Sequence, residues 1–131
     1  MGVRYLLDTH VLLWLLGTVD RVPAEVRGRL ADRRNELLVS AASALEITTK
    51  VRIGKLDAPG LPEVLAAETA RIGATVLSIS LAHAGLAGSL RWTHRDPFDR
   101  LLVAQARLEH ATLVTVDDAV RELPDLPLLS W

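Results

Sequence analysis

Four acidic residues, far apart in the chain, occupy positions from which their carboxylates could meet and act together. Asp8 and Asp117 each follow a short apolar run that predicts a buried strand, whereas Glu46 and Asp99 each fall near the start of a predicted helix. In a sheet of parallel strands, all four positions lie toward the carboxyl edge, where open α/β sheets bind ligands. We therefore expect the four carboxylates to lie close together.

A cluster of this kind is best explained by a bound cation. Two like charges about 4 Å apart repel each other by roughly 1–4 kcal/mol at effective dielectric constants of 80 to 20. Carboxylates in a chain without cysteine suit a hard ion, Mg²⁺ or Mn²⁺. Such an ion can lower the pKa of a bound water and hold a phosphate oxygen, so the implied reaction is metal-assisted hydrolysis of a phosphodiester.

Each acid also has a purely structural explanation. Ser43 and Glu46 match a capping box, and Glu46 stands four residues before Lys50, the favourable order for a helical ion pair. Asp8 and Asp117 could each cap a helix or close a turn. The prediction of a site therefore depends on four acids at equivalent topological positions, not on any one of them.

The segment HRDPFDRLLVAQA, residues 94–106, is the reference point for the rest of the sequence, because it predicts the start of a helix. Asp96 can cap the helix, Pro97 suits its first position, and Asp99 falls in the first turn, where the helix dipole favours a carboxylate. The apolar residues that follow recur at helical spacing, so we expect a core helix that carries Asp99 at its beginning.

Strands and helices alternate along the rest of the sequence. Strands are predicted at 3–7, 36–40, 75–79 and 112–116, with a possible edge strand at 127–129. Helices are predicted at 9–17, from 23, from Ser40 or Ser43 to about 53, at 61–72, at 80–86 and from 97. These spacings suit right-handed crossovers. We expect one α/β domain over residues 1–131, a three-layer helix–sheet–helix sandwich with a mostly parallel sheet of four to five strands.

Composition narrows the classes of function. The chain has 131 residues, is 50% hydrophobic and carries a formal net charge of −1. It is long enough to bury a core, and it has no overall basic surface for nucleic acid. The lack of cysteine excludes disulfides and thiolate metal sites. The sequence shows no signal peptide and no run long enough for a membrane span, so we expect a cytoplasmic protein.

The blocks LLDTHVLLW, SALEITTKVRIGKL, RDPFDRLLVAQA and LVTVDD, within residues 6–118, resemble the PIN domain and follow the order of that family. More narrowly, the chain is similar to the VapC toxins of bacterial toxin–antitoxin pairs. The resemblance implies an endoribonuclease that depends on Mg²⁺ or Mn²⁺, is inhibited by a cognate VapB-like antitoxin and is commonly a homodimer. The matching acids are Asp8, Glu46, Asp99 and Asp117, and the matching supporting residues are Thr9, Thr115 and Asp96.

Two local basic clusters are predicted to hold the RNA backbone on either side of the metal. They comprise Lys50, Arg52 and Lys55 beside Glu46, and Arg91, Arg95 and Arg100 around the late helix start. The first predicted helix is apolar almost all round. We therefore expect a partly exposed apolar groove among the helices at 9–17, from 23 and at 61–72, for an antitoxin segment or a second copy of the chain.

Three other classes of protein share part of this pattern. A phospho-acceptor receiver module needs paired acids at the first strand end and an aspartate after a central strand, whereas Ile79 and Ser80 end the third predicted strand here. A haloacid-dehalogenase-type phosphatase needs a second aspartate two residues after the first, and this chain has His10 there. A catalytically silent binding protein on the same fold is the third. Metal-dependent cleavage of RNA would separate the nuclease from all three.

Overall fold

A single parallel sheet lies at the centre of the molecule, in a computed structural model that describes residues 2–131. Its strands are β1 (Arg4–Leu7), β2 (Glu36–Ser40), β3 (Thr75–Leu77), β4 (Thr112–Val114) and β5 (Leu128–Leu129). They are arranged in the order β3-β2-β1-β4-β5, and every neighbouring pair is parallel. The prediction of a parallel sheet of four to five strands is confirmed. The predicted domain, 1–131, includes Met1, which lies outside the described residues.

Helices connect the strands and cover both faces of the sheet. They are α1 (Thr9–Gly17), α2 (Ala24–Ala31), α3 (Ala41–Arg52), α4 (Leu61–Arg71), α5 (Leu81–Ser89), α6 (Pro97–Leu108) and α7 (Asp118–Arg121), with a 3₁₀ turn at Val19–Arg21. Across residues 2–131, none of these helices has both the length and the apolar character needed to cross a membrane.

The central strand β1 shows why the sheet must be covered on both sides. Its successive residues alternate between two separate apolar cores: Tyr5 and Leu7 pack into one, and Leu6 packs into the other. Because side chains alternate across a strand, a strand buried on both faces reads as a continuous apolar run. The apolar run at the start of the sequence therefore encodes the middle layer of a three-layer sandwich, as predicted.

The two cores hold different helices. On one face, residues of α1, α2, α3 and α4 pack against the sheet, with Val11, Leu12 and Ile47 fully buried. On the other face, α6 supplies Leu102 and Val103, which are almost completely buried. The helix that begins with Asp99 in its first turn is thus anchored in the core, as expected.

Several element boundaries differ from the sequence-based predictions. Strands β3 and β4 each end two residues earlier than predicted, helix α5 extends to Ser89, and helix α7 was not predicted. Helix α3 begins after Ser40, one of its two predicted starts, and the Ser40 Oγ accepts a hydrogen bond from the Ala42 N–H at 3.0 Å. Ser43 lies inside this helix, so the capping box that it would form with Glu46 does not exist.

Candidate active site

Asp8 is fixed between two strands at the carboxyl edge of the sheet. Its backbone N–H donates to the Val114 carbonyl at 2.9 Å, which continues the pairing of β1 with β4. Its Oδ2 accepts a hydrogen bond from the Thr115 hydroxyl at 2.6 Å. Although Asp8 stands at the N-cap position of α1, its side chain makes no capping bond. The carboxylate of Asp8 is therefore held mainly by Thr115, on the neighbouring part of the sheet edge.

The pKa of the Asp8 carboxyl is raised, and the main cause is burial, since the residue is only 6% exposed. The charge of Glu46 raises it further, while the hydrogen bond from Thr115 and the nearby His10 oppose the shift. Asp8 and Glu46 are therefore close enough to repel each other, as the sequence predicted.

Glu46 and Thr9 join the site from facing helices. Glu46 is buried on α3 and forms a salt bridge with the Lys50 ammonium one turn later, so the predicted helical ion pair is present. The Thr9 hydroxyl on α1 shares a hydrogen bond of 2.9 Å with the Ser43 hydroxyl on α3. Because both residues are buried, this bond firmly links the start of α1, just after Asp8, to the helix that carries Glu46.

Asp99 is the acid of the site whose pKa is raised most clearly. Burial raises its pKa to about 6, and the carboxylates of Asp96, Asp8 and Asp117 add to the shift. His94 opposes it through a hydrogen bond of 2.7 Å between Nε2 and the Asp99 Oδ2. The carboxylates that act on Asp99 come from three different segments of the chain, so they converge on one site.

Asp117 and Asp96 each have a defined structural role beside the site. Asp117 caps α7 by accepting the Ala119 N–H at 2.9 Å, and its own N–H donates to the Thr115 hydroxyl at 3.1 Å. Thr115 therefore contacts both strand-end acids.

Asp96 caps α6, since its Oδ1 accepts the N–H groups of Phe98 at 2.8 Å and Asp99 at 3.1 Å. The capping that the sequence predicted for both residues is present.

One potential ligand atom from each of His94, Asp99 and Asp117 lies within 4.8 Å of the others. Asp8 and Glu46 lie outside this trio. His94 is the site residue that the sequence-based set missed. It begins the segment HRDPFDRLLVAQA and stands five residues before Asp99, but no regular spacing rule identifies a contact between two such positions.

The six basic residues predicted to contact RNA lie in different surroundings. Lys50 is held by Glu46, and it lines a cleft of about 280 Å³ together with Thr9, His10, Lys55 and other residues. Four of these basic residues are exposed: Arg52, Lys55, Arg91 and Arg95.

The helical spacing predicted Arg100 on the outer side of its helix, but its guanidinium bonds to the backbone of the preceding loop. These bonds favour a role in holding that loop over contact with RNA.

The predicted apolar groove among the helices is present as two separate grooves. A groove of about 480 Å³ runs between Leu13 and Leu16 of α1 and Leu61 and Val64 of α4. Helix α2 does not line this groove, but Leu30 and Ala31 of α2 line a second one of about 270 Å³, together with Leu15 of α1 and Arg71 of α4. Trp14 lines neither groove.

Comparisons with known proteins identify the family of the chain and its fold. A family model described as the PIN domain matches residues 5–126. The fold is similar to that of VapBC2 from Rickettsia felis bound to a DNA fragment from their promoter, with a TM-score of 0.72, 20% identity and 98% of each chain covered. It is also similar to DNA-bound VapBC from Salmonella typhimurium, with a TM-score of 0.70, 18% identity and 98% of each chain covered.

A further similar structure is that of FitAB bound to an IR36 DNA fragment. Its TM-score is 0.61 at 16% identity, with 96% of this chain and 94% of that chain covered. At such identities, the likeness shows a shared fold. No curated protein matches the sequence.

The raised pKa of Asp99 predicts a specific dependence of stability on pH. Between its ordinary value of 3.8 and about 6, the folded protein binds a proton at Asp99 more tightly than the unfolded chain does. The free energy of unfolding should therefore fall as pH rises through this range and stay lower above it. Asp99→Asn should make the free energy of unfolding fall less steeply across this pH range. It should also raise the free energy of unfolding at neutral pH in the absence of metal. Urea unfolding in EDTA across the pH range measures both effects.

Asp118→Asn is the matched control, because Asp118 is an exposed acid that follows Asp117 directly. This substitution should leave the pH profile unchanged. The slope that remains in Asp99→Asn should come mainly from Asp8, whose pKa is also raised. An Asp99→Asn variant that retains the full wild-type loss of stability would contradict the convergence of charges at Asp99.

Proposed function

The chain belongs to the PIN domain family, a family of nucleases, and from that premise we propose that it is a metal-dependent endoribonuclease of the VapC toxin type. The observation that carries the proposal is the proximity of carboxylates at the carboxyl edge of the parallel sheet, where the charges of Asp8 and Asp117 act on Asp99 and that of Glu46 acts on Asp8. In the proposed setting, it hydrolyses RNA phosphodiester bonds in the cytoplasm and is held inactive by a cognate VapB-like antitoxin.

The residues present fit Mg²⁺ or Mn²⁺. The four acids offer carboxylate oxygens, which hard divalent ions prefer. The raised pKa values of Asp8 and Asp99 mean that the folded chain alone stabilises their charges poorly. A divalent cation would supply the missing positive charge, and we propose Asp8, Glu46, Asp99 and Asp117 as the residues that hold it.

The chain's own residues orient the carboxylates for this task. Thr115 donates to Asp8, His94 bonds to Asp99, and Lys50 neutralises Glu46. When bound, the cation would activate a water as nucleophile and stabilise charge on the phosphate. Burial of Asp8 and Glu46 keeps bulk water away from part of the site and strengthens electrostatic interactions there.

The nuclease prediction concerns the four acids and the metal. Asp8→Asn and Asp99→Asn should abolish measurable RNA cleavage, and Glu46→Gln and Asp117→Asn should weaken it, because each removes a charged ligand without changing the shape of the side chain. Activity should require Mg²⁺ or Mn²⁺ and vanish in EDTA, and Ca²⁺ should support little cleavage because of its looser coordination. Cleavage of labelled RNA by the purified protein is the measurement.

Asp118→Asn serves as the control for nonspecific loss of charge near the sheet edge, and it should cut RNA at the wild-type rate. Wild-type activity in Asp8→Asn and Asp99→Asn would exclude the proposed site. Metal binding without RNA cleavage under any of these conditions would favour a catalytically silent PIN-fold protein.

We propose that exposed basic side chains hold the RNA backbone beside the acids. Lys50, Arg52 and Lys55 lie together at the end of α3, and Lys50 and Lys55 line the same cleft as Glu46. Arg91 and Arg95 belong to the loop before α6 and are exposed. Since the net charge is −1, such local patches are needed to attract a polyanion.

Arg52→Ala combined with Lys55→Ala should weaken RNA binding across many sequences and reduce its salt dependence by roughly one unit of slope per lost phosphate contact. Arg29→Ala combined with Arg33→Ala removes the same charge from the exposed side of α2 and the turn after it, and should change neither quantity. Binding titrations over a range of salt concentrations measure both pairs. An equal effect of the two pairs would assign the attraction to net charge and remove this patch from the site.

The partner proposed for the toxin is an antitoxin, with a homodimer as the assembly of the toxin itself. The apolar groove between α1 and α4 offers Leu13, Leu16 and Val64 as contacts, and Val64 is 47% exposed. An amphipathic antitoxin segment would bury this surface.

Co-expression with the product of the adjacent gene, followed by pull-down and a cleavage assay, should give a stable complex that no longer cuts RNA. Val64→Glu should weaken the complex while leaving cleavage by the free protein intact, because Val64 does not line the acidic site. A protein that neither binds that product nor loses activity beside it would contradict the partner proposal and leave the nuclease proposal unaffected.

A further inference from the structure

Arg100 points back onto the loop that precedes its own helix. Its Nε donates to the Ala87 carbonyl at 2.8 Å, and its Nη1 donates to the carbonyls of Trp92 at 2.8 Å and His94 at 2.9 Å. Its Nη2 donates to the Leu90 carbonyl at 2.7 Å. A guanidinium offers five N–H donors in a rigid plane, so one side chain binds both the end of α5 and the loop after it.

The backbone needs such a donor at this place. The last carbonyls of a helix have no partner within the helix, and a cation near them is also favoured by the helix dipole. Ala87 lies in the last turn of α5, and residues 90–96 form no regular helix or strand. Arg100 therefore supplies hydrogen bonds to carbonyls of the end of α5 and of the loop after it.

His94 is held through both its backbone carbonyl and its side chain. Its carbonyl accepts from Arg100, and its imidazole lies beside the Trp92 indole, with the ring centroids 4.7 Å apart and the planes inclined by 32°. Its Nε2 lies 2.7 Å from the Asp99 Oδ2. The side chains of His94 and Asp99 are 28% and 16% exposed, so the contact is partly shielded from water.

We propose that His94, held in place by Arg100, is a positioning residue whose Nε2–H donates to Oδ2 of Asp99 and keeps that carboxylate in one orientation at the metal site. The inference rests on the proposed function, because the orientation of Asp99 matters most when it binds a cation. Hydrogen-bond partners of metal-binding carboxylates commonly set their orientation and their affinity for the metal. Arg100 acts on the site only through His94.

Two substitutions separate the hydrogen bond from the ring. His94→Phe keeps an aromatic ring beside Trp92 but removes the donor, and His94→Gln restores a donor without the imidazole. We expect His94→Phe to weaken Mn²⁺ binding by about 10–100-fold, the range typical of lost outer-shell partners, and His94→Gln to recover part of that loss. Calorimetric titration of the purified protein with Mn²⁺ gives the affinities without any need for RNA cleavage.

Arg100→Lys tests the second step of the inference. Lysine keeps the positive charge but lacks the planar fork, so it cannot hold four carbonyls at once. We expect weaker Mn²⁺ binding, and we expect the double variant with His94→Phe to bind no more weakly than His94→Phe alone, because the two residues act in series. If Arg100→Lys does not fold, the two His94 variants carry the test by themselves.

Matched controls come from the same helix and its end. Arg107→Lys changes another arginine of α6, and His110→Asn removes an imidazole just after that helix at a positive φ of 51°, which asparagine tolerates. Both variants should bind Mn²⁺ as the wild type does.

Wild-type Mn²⁺ affinity in His94→Phe would overturn the inference. So would an imidazole nitrogen coupling in the pulsed EPR spectrum of the Mn²⁺ complex that is lost in His94→Phe, because it would make His94 a direct ligand, whereas a coupling that persists in that variant would come from another imidazole such as His10, which lies near Asp8 and Glu46. A wild-type protein that binds no Mn²⁺ would overturn this inference together with the proposed metal site. If the wild type binds and Asp99→Asn does not, the metal site stands, and the His94 variants decide the positioning role alone.

Discussion

The electrostatic cost of gathering carboxylates at one partly buried edge of a parallel sheet is the constraint on which this structure depends. Burial is the largest cause of the raised pKa at both Asp8 and Asp99, and neighbouring carboxylates add to it. Each acid is therefore given a stabilising partner close at hand. These partners are the Thr115 hydroxyl for Asp8, the Lys50 ammonium for Glu46, the His94 imidazole for Asp99 and the Ala119 N–H for Asp117.

Much of this arrangement could be predicted from local sequence patterns. Short apolar runs separated by helical segments predict parallel strands, and the topology of parallel strands brings their carboxyl ends to one edge. Asp96 and Pro97 predicted the beginning of α6 for the same kind of reason, since capping depends on neighbouring residues only. The Ser43–Glu46 capping box failed because Ser40, three residues earlier, took the cap and placed Ser43 inside α3, where it bonds to Thr9.

Contacts that depend on how a loop folds could not be predicted in this way. The helical spacing of α6 places Arg100 on the side away from the apolar stripe, and that placement suggests a solvent-exposed charge. The loop after α5 covers this side of the helix, and the carbonyls that it presents have no signature in side-chain sequence. The contact of His94 with Asp99 could not be predicted either, because it requires the loop to turn back onto α6.

The wide spacing of the acids along the chain has a consequence for how the protein is made on the ribosome. The hydrogen bond between Thr115 and Asp8 joins residues 107 positions apart, and β4, which leads to Thr115 and Asp117, pairs directly with the first strand. During synthesis, strand β1 gains its second neighbour in the sheet only after β4 has been translated. A nascent chain released just before that point carries Asp8, Glu46 and Asp99 without Asp117, so the proposed site is complete only when nearly the whole domain has been translated.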